Sequence, residues 1–550
     1  MLAQFLPQFR GGASGVNLML PAGFLGLINH LYFHRFEPKS ADIPILVLTI
    51  EPLLLLVFFS VPFSPINVVG AYSVFFSSLC FSIIVYRISP WHPLAHIPGP
   101  TLNKITQMRS VWTSRAGGQH LVTKRLHDTY GPFVRTGPNE ISVIHVDAVK
   151  AVLGSGGFPK GQYYEPRTDP SLPTRSLLTL RGEAHANRRR IWNRGMSSES
   201  LHNYGPIVAK RVGQLASRLE GLSGAVDISE WIGFFTFDFM GDMAFGGGFE
   251  MLRDGGDKDG LWTILKDGAK AIGLISQCPW AYPTLMHFPM VVKGMKRLRR
   301  FGVECATNRI KAGSKVKDLW YHLTDEAGAE KVKPTMAEAV ADGVLSIIAG
   351  ADTTSTALSA FLWFLLSNPE IYARVQAEVD SVYPDEEHLL DTSKHADLHL
   401  LAACINETFR LQPPVRTNGT RQVTTGGGRI IAGRYIPEGT HIYVPPYSLH
   451  RSAEHFRPSP DEFDPDRWLR GPSPDSTLNI GAFIPFSYGA ANCVGKALAW
   501  QEMLMVTSML VQKFNIRFAD NFDSASWPDC MHDYFVTILG RPLLVVLFPR

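Results

Sequence analysis

One cysteine stands in the sequence Phe486-Ser487-Tyr488-Gly489-Ala490-Ala491-Asn492-Cys493-Val494-Gly495, directly before an apolar run with helical character. A thiolate at a helix N-terminus is stabilised by the helix dipole and by backbone N–H groups, and it can serve as an iron ligand. Flanking glycines let the backbone pass close to a flat cofactor, and Phe486 can shield the sulfur from water. The pattern favours an iron site at Cys493 over the alternative, a buried structural cysteine.

The spacing Phe-x-x-Gly-x-x-x-Cys-x-Gly resembles the haem-binding loop of cytochromes P-450, in which a cysteine thiolate holds the iron. The resemblance implies haem b as the cofactor, with Cys493 as its axial ligand and with Phe486, Gly489 and Gly495 in contact with it. The family often has Pro-Arg where this chain has Ala490-Ala491. An arginine that helps to bind a haem propionate is therefore absent from this loop.

A long helix is predicted upstream of the loop. Thr335-Met336-Ala337-Glu338 forms a capping box, and the helical pattern continues to Asn368-Pro369. This helix would be ~48 Å long at 1.5 Å per residue. Within it, Ala349-Gly350-Ala351-Asp352-Thr353-Thr354 resembles the oxygen-binding motif of the family's central helix, which implies catalytic roles for Asp352 and Thr353. The alternative is a polar bend in a core helix.

Cationic residues elsewhere agree with the same family. His185 and Arg189 stand at positions i and i+4 of a predicted helix, where two donors can reach one anion. The resemblance implies that Arg189, Arg421 and His185 bind haem propionates, although the family has Trp where this chain has His185. The alternative for the helix that carries His185 and Arg189 is a solvated basic face.

Glu407 and Arg410 stand three residues apart on another predicted helix, and Arg467 follows downstream. Such an acid–base pair is common and is uninformative alone. In the resembled family a trio of this kind stabilises the core behind the haem, so structural roles are implied for Glu407, Arg410 and Arg467.

Composition agrees with a packed globular protein, since 45% of the 550 residues are hydrophobic and 19% are charged. The formal net charge of +4 gives no basis for nucleic-acid binding. Six cysteines are scattered without a C-x-x-C pair, which favours a reducing compartment.

The first ninety residues are predicted to anchor the chain in a membrane. The uncharged segment 66–86 is long enough to cross a bilayer core of ~30 Å as a helix. Segments 16–33 and 43–63 are weaker candidates, and the second carries Glu51-Pro52. Either all three segments span, which obeys the positive-inside rule, or one spans and Glu51-Pro52 marks an interfacial segment. The Pro-rich stretch 91–100 resembles the hinge of microsomal cytochromes P-450.

Together these motifs extend from about Pro98 to the end of the chain. The resemblance implies a mainly α fold with small β-sheets, formed by residues 101–550 as a haem-thiolate catalytic domain. It implies a monooxygenase that uses O2 and receives electrons from a separate NADPH-cytochrome P-450 reductase, with cytochrome b5 as a further candidate partner. It also implies the endoplasmic reticulum membrane, with the catalytic domain in the cytosol. The alternatives are a haem-thiolate isomerase or dehydratase that needs no reductase, and a membrane scaffold without chemistry.

The substrate is expected to be a lipophilic small molecule of fungal-type secondary metabolism, because the candidate contact segments are mostly apolar. These segments are 158–180, 279–289, 415–418 and 534–536. Segment 279–289 is followed by basic residues, so it is also a candidate for contact with membrane lipid.

Overall fold

The computed structural model describes residues 16–168, 174–247, 249–258, 260–313, 316–384, 390–424, 426–471 and 473–550. Most of this part of the chain is helical. The helices are α1 (Val16–Arg35), α2 (Asp42–Phe58), α3 (Pro65–Ile88), α4 (Thr101–Ile105), α5 (Met108–Arg115), α6 (Gln119–Tyr130), α7 (Val146–Ala148), α8 (Gly182–Gly195), α9 (Ser198–Glu220), α10 (Ile228–Phe245), α11 (Met251–Asp254), α12 (Leu261–Ile275), α13 (Tyr282–Leu285), α14 (Pro289–Ala312), α15 (Leu319–Leu323), α16 (Met336–Ser367), α17 (Pro369–Val382), α18 (His399–Leu411), α19 (Pro446–Leu449) and α20 (Lys496–Lys513).

The strands are short and form small sheets. They are β1 (Phe133–Gly137), β2 (Glu140–Val143), β3 (Val226–Asp227), β4 (Arg421–Gln422), β5 (Arg429–Ile431), β6 (Arg434–Ile436), β7 (His441–Tyr443), β8 (Phe456–Arg457), β9 (Thr477–Leu478), β10 (Phe514–Phe518), β11 (Met531–Tyr534), β12 (Val536–Leu539) and β13 (Leu544–Pro549). The largest sheet among the described residues has the order β1-β2-β7-β4, in which β2 and β7 are parallel. The predicted mainly α fold with small sheets is confirmed.

Helix α16 is the central helix of the body. It begins with the predicted capping box, in which Thr335 N donates to Glu338 Oε2 at 2.8 Å and Glu338 N donates to Thr335 Oγ1 at 3.3 Å. The helix packs closely along α10, because a Cβ added at Gly343 would lie 2.8 Å from the Phe245 ring. A Cβ at Gly350 would lie 2.5 Å from Met240 Sδ, so Gly350 also serves this helix–helix contact.

The three N-terminal helices pack against one another. Phe75 and Leu79 of α3 are buried against α1, and Asn29 Nδ2 of α1 donates to Glu51 Oε2 of α2 at 2.5 Å. Helix α2 ends at Phe58 rather than at 63, because Ser60 has a positive φ of 53° and the proline at 62 cannot continue a helix. Glu51, the acid that makes segment 43–63 a weaker candidate span, thus has a hydrogen-bond partner between α1 and α2.

Two helices of the described chain are long and apolar enough to cross a membrane, α3 and α16. The apolar window of α16 is 67% buried inside the protein and that of α3 only 17%, so α16 is a core helix and α3 is the candidate span.

Glu407 lies at the centre of a buried ionic network between α18 and the segment 465–468. Its carboxylate accepts from Arg410 Nη2 at 2.8 Å, from Arg467 Nε at 3.0 Å and from the Trp468 indole at 3.0 Å. The side chains of Glu407 and Arg410 are both completely buried. Removal of the acid would leave Arg410 buried without a carboxylate and Arg467 with only Asp464, at 3.9 Å.

We expect Glu407→Ala to lower the free energy of unfolding by about 3–5 kcal/mol, the usual cost of breaking a buried pair on one side. Urea denaturation of the full chain in detergent, followed by tryptophan fluorescence, measures this change. Asp466→Ala is the control, because it breaks an exposed pair with Arg374 and should cost less than about 1 kcal/mol. Equal losses in the two variants would contradict a stabilising role for the network.

Candidate active site

A cavity of about 1140 Å³ lies between α16 and the Cys493 loop. The predicted site residues on its surface are Cys493, Phe486, Gly495, Thr353, His185, Arg189 and Arg421. All four predicted substrate-contact segments contribute to its lining, although residues 169–173 of the first lie outside the described chain. Gly489 and Asp352 do not line it.

The Cys493 loop is held by its own backbone. Cys493 N donates to the Phe486 carbonyl at 2.8 Å, and the Phe486 ring packs edge-on against Phe409 with the ring centroids 5.0 Å apart. Gly489 has a φ of 74°, and a Cβ there would lie 2.2 Å from Leu153 O, so only glycine permits this contact. No atom lies within 4 Å of the Cβ position of Gly495, which leaves the cavity beside the cysteine open.

The Cys493 thiol lines the cavity and is exposed to its open space. Burial raises its pKa, while the Gly495 N–H and the charges of Arg189 and Lys496 act in the opposite direction. The free thiol is therefore protonated at neutral pH. A metal ion that binds to the sulfur would displace this proton, as is usual for thiolate ligands.

Four basic side chains form one wall of the cavity, which we call the cationic wall: Lys160, His185 and Arg421, which are buried, and Arg189, which is partly buried. Burial and the neighbouring cations lower the pKa of Lys160 to about 7 and that of His185 to about 4. Within the described residues no carboxylate forms an ion pair with any of the four, and Arg421 Nε has no hydrogen-bond partner. Such a wall fits a ligand with anionic groups.

Arg189 connects the cationic wall to the cysteine loop. Its Nη1 donates to Asn492 O at 2.6 Å and its Nη2 donates to Asn492 Oδ1 at 2.7 Å. Arg189 thus contacts the loop that has Ala491 where the family often has arginine. No local sequence pattern indicates the Asn492 contact, because residues 189 and 492 are brought together only by the tertiary fold.

Lys160 is the member of the cationic wall that sequence reasoning missed. It lies in segment 158–180, for which the sequence predicts only contact with substrate, and its backbone forms a β-bridge with Arg421. Its side chain is 7% exposed, and its Nζ donates to Leu177 O at 3.1 Å. The sequence signal that could have found it is a lone lysine among glycine, proline and aromatic residues. Because an unpaired lysine is rarely buried, a lysine in such a segment suggests an anionic partner.

Thr353 and Asp352 point in different directions. Thr353 lines the cavity, and its hydroxyl donates to Ala349 O at 2.7 Å. Asp352 is buried, and burial raises its pKa to about 6, while the Lys266 charge and the hydrogen-bonding indole of Trp262 act against the rise. Asp352 is therefore shielded from solvent beside α12 and does not face the cavity.

A thiol that faces a large cavity, a wall of buried cations beside it and a hydroxyl-bearing central helix define a haem-thiolate enzyme. These residues fit haem, which offers iron to the sulfur and carboxylates to the cations. Residues 98–526 match the family model Cytochrome P450. The chain belongs to the cytochrome P450 family and is a haem-dependent monooxygenase.

Relatives from fungi extend over most of the chain. It is 31% identical over 542 residues to Cytochrome P450 67 of Uromyces fabae, which covers 95% of this chain and 97% of the relative. It is 30% identical over 544 residues to Averantin hydroxylase of Dothistroma septosporum, covering 97% and 99%. It is 30% identical over 461 residues to Tryprostatin B 6-hydroxylase of Aspergillus fumigatus, covering 82% and 80%.

We expect Cys493→Ser to abolish the thiolate-type carbon monoxide band and NADPH-driven turnover, because a serine hydroxyl is too weak an acid to serve as a stable anionic ligand. Difference spectroscopy of the reduced, purified protein measures the band. Cys278→Ser is the control, since Cys278 does not line the cavity and should keep both properties. Retention of the band in Cys493→Ser would place the iron elsewhere.

We expect Arg189→Leu to lower the fraction of protein that keeps haem during purification, because one cation of the wall and two contacts to Asn492 are lost. Haem content per protein, from absorbance and amino-acid analysis, measures this fraction. Arg190→Leu is the matched control, because Arg190 is 58% exposed and pairs with Glu330. Full haem content in Arg189→Leu would show that the other three cations suffice.

Proposed function

We propose that this protein oxidises a lipophilic small molecule of fungal secondary metabolism, using O2 and electrons from a separate NADPH-cytochrome P-450 reductase. The observation that supports this proposal is the apolar character of the cavity away from the cationic wall. There it is lined by side chains of α12, α14 and α16: Ile264, Ile272, Ile275, Val291, Leu298, Val303, Val340, Val344 and Leu345. The fungal monooxygenases and hydroxylases among the relatives support the same class of reaction.

In this proposal Cys493 would hold the iron of haem b through its sulfur, and the cationic wall would hold the haem propionates. When bound, the haem supplies the reductive activation of O2. Phe486 and Gly495 border the sulfur, Gly489 lets the loop pack beneath it, and Glu407, Arg410 and Arg467 keep the supporting core rigid. Each residue thus binds or positions the cofactor.

Thr353 and Asp352 are proposed to deliver protons. The Thr353 hydroxyl lies on the cavity surface, and a change of χ1 would free it from Ala349 O to donate into the cavity. Asp352 has a pKa of about 6, so it can exchange protons near neutral pH. Because Asp352 Oδ2 has no hydrogen-bond partner among the described residues, this oxygen is available to pass a proton on.

The chain is further proposed to sit in the endoplasmic reticulum membrane, with α3 as a span and the remaining body in the cytosol. The segment 279–289 and the start of α14 support contact with lipid, because Trp280, Phe288 and Met290 are exposed. This segment also meets the anchor, since Ala41 N donates to Trp280 O at 3.1 Å. Met290 also lines the cavity, so in this proposal the cavity borders the lipid-facing surface, from which a lipophilic substrate would enter.

Comparison of metabolites with and without the gene identifies the substrate and the product. Purified protein must then form that product only with NADPH, reductase and O2 together. Product formation without reductase would favour the isomerase or dehydratase alternative. A missing carbon monoxide band would favour the scaffold.

We expect Thr353→Ala to keep the haem spectrum and NADPH consumption but to release more hydrogen peroxide. A positioned proton donor contributes roughly 10²- to 10⁴-fold to such transfers, so product per NADPH should fall by at least about 10-fold. Parallel assays of product, NADPH and peroxide measure this ratio.

Thr353→Ser is the matched control, because it keeps the hydroxyl and should keep most of the parent ratio. If Thr353 only packs or bends α16, Thr353→Ala will change stability and leave the ratio of product to NADPH at the parent value. That result would remove Thr353 from the catalytic residues.

A further inference from the structure

Arg167 lies in an aromatic cage in the wall of the cavity. Its guanidinium carbon is 4.2 Å from the ring centroid of Phe535, 4.8 Å from that of Tyr163 and 5.9 Å from that of Tyr164. The three rings also contact one another, with centroids 5.8–6.0 Å apart. A cation held against three rings keeps its charge in a defined place at little cost in side-chain entropy.

Three elements of the fold converge on this guanidinium. Arg167 ends the short helical segment Gln162–Arg167, Phe535 forms the turn between β11 and β12, and Ser276 follows α12. Arg167 Nη1 donates to Ser276 Oγ and to Tyr163 O, both at 2.9 Å. Phe535 has a φ of 82°, a conformation that is rare for a bulky residue and that its surroundings must stabilise.

One edge of the guanidinium is not used by the rest of the described chain. Nε and Nη2 of Arg167 have no hydrogen-bond acceptor there, and Arg167 forms no ion pair within those residues. The nearby acid Glu165 pairs instead with Arg175 and Arg181, at 2.9 and 2.7 Å. The Nε–Nη2 edge is a fork of parallel N–H groups, and such a fork matches the two oxygens of a carboxylate.

We propose that Arg167 determines substrate specificity by binding the carboxylate group of an otherwise apolar substrate. The proposal rests on the proposed function of the cavity as a substrate site. Arg167 lines the same cavity as Cys493 but is not part of the cationic wall. An acidic end bound at the cage leaves the hydrocarbon part of the molecule among the apolar side chains of α12, α14 and α16.

The test uses 4-phenylbutyrate and 4-phenylbutanamide, which share a hydrocarbon part and differ in charge. Calorimetry on the full-length haem protein in lipid nanodiscs, with empty nanodiscs as the blank, gives both dissociation constants. We expect the carboxylate to bind at least about 10-fold more tightly than the amide, as for a charge-assisted hydrogen bond. Arg167→Gln should remove this preference and leave amide binding unchanged.

Arg175→Gln is the matched control, because Arg175 also lines the cavity but is paired with Glu165; it should keep the preference. Equal affinity of the parent protein for both probes, including no binding of either, overturns the proposal, and so does a preference that survives in Arg167→Gln. If Arg167→Gln loses its haem spectrum, Arg167→Lys decides, because it keeps the charge without the fork. A reduced preference then supports the proposal and an unchanged one overturns it.

The outcome is separable from the proposed function. A carbon monoxide band together with reductase-dependent turnover tests the monooxygenase, whatever the preference between the two probes. Equal affinity of the parent protein for the two probes therefore removes only the role of Arg167.

Discussion

Four basic side chains share one largely desolvated wall of the cavity with no carboxylate from the described chain among them, and this imbalance constrains the whole site. Moving an unpaired charge out of water costs several kcal/mol even after relaxation. Part of this cost is avoided because burial lowers the pKa of Lys160 and of His185, so that both side chains carry less charge when no anion is present. A dianionic ligand would reverse these shifts, and its binding free energy would add to the stability of the folded chain.

The Cys493 loop is supported by a series of buried hydrogen bonds that leads to it from Glu407. Glu407 fixes Arg410, whose Nη1 donates to His450 O at 2.9 Å. The His450 ring in turn accepts from Ile484 N at 2.9 Å, two residues before Phe486. A change at Glu407 therefore reaches the loop through hydrogen bonds that are all shielded from water. This continuity explains why a network remote from the sulfur belongs to the architecture of the site.

Local patterns made much of the site predictable. The capping box, the i and i+4 spacing of His185 and Arg189 and the cysteine loop are all visible within a few residues, so their placement followed from sequence. Lys160 and the Arg189–Asn492 contact depend on segments that meet only in three dimensions. The side-chain direction of Asp352 was not predictable either, because adjacent helix residues point about 100° apart and the facing helix α12 decides what each one meets.

The segment from Lys160 to Arg167 joins two cationic features of different construction. Lys160 is bridged to Arg421 and faces the other cations of the wall, whereas Arg167 is isolated from them by the rings of Tyr163 and Tyr164. Because only six residues lie between Lys160 and Arg167, the placement of one end of the segment constrains the placement of the other. The tyrosines keep the like charges apart and, through Phe535, attach the segment to the β11–β12 turn. Placement of one short loop thus sets both the anion-binding wall and the charged end of the apolar chamber.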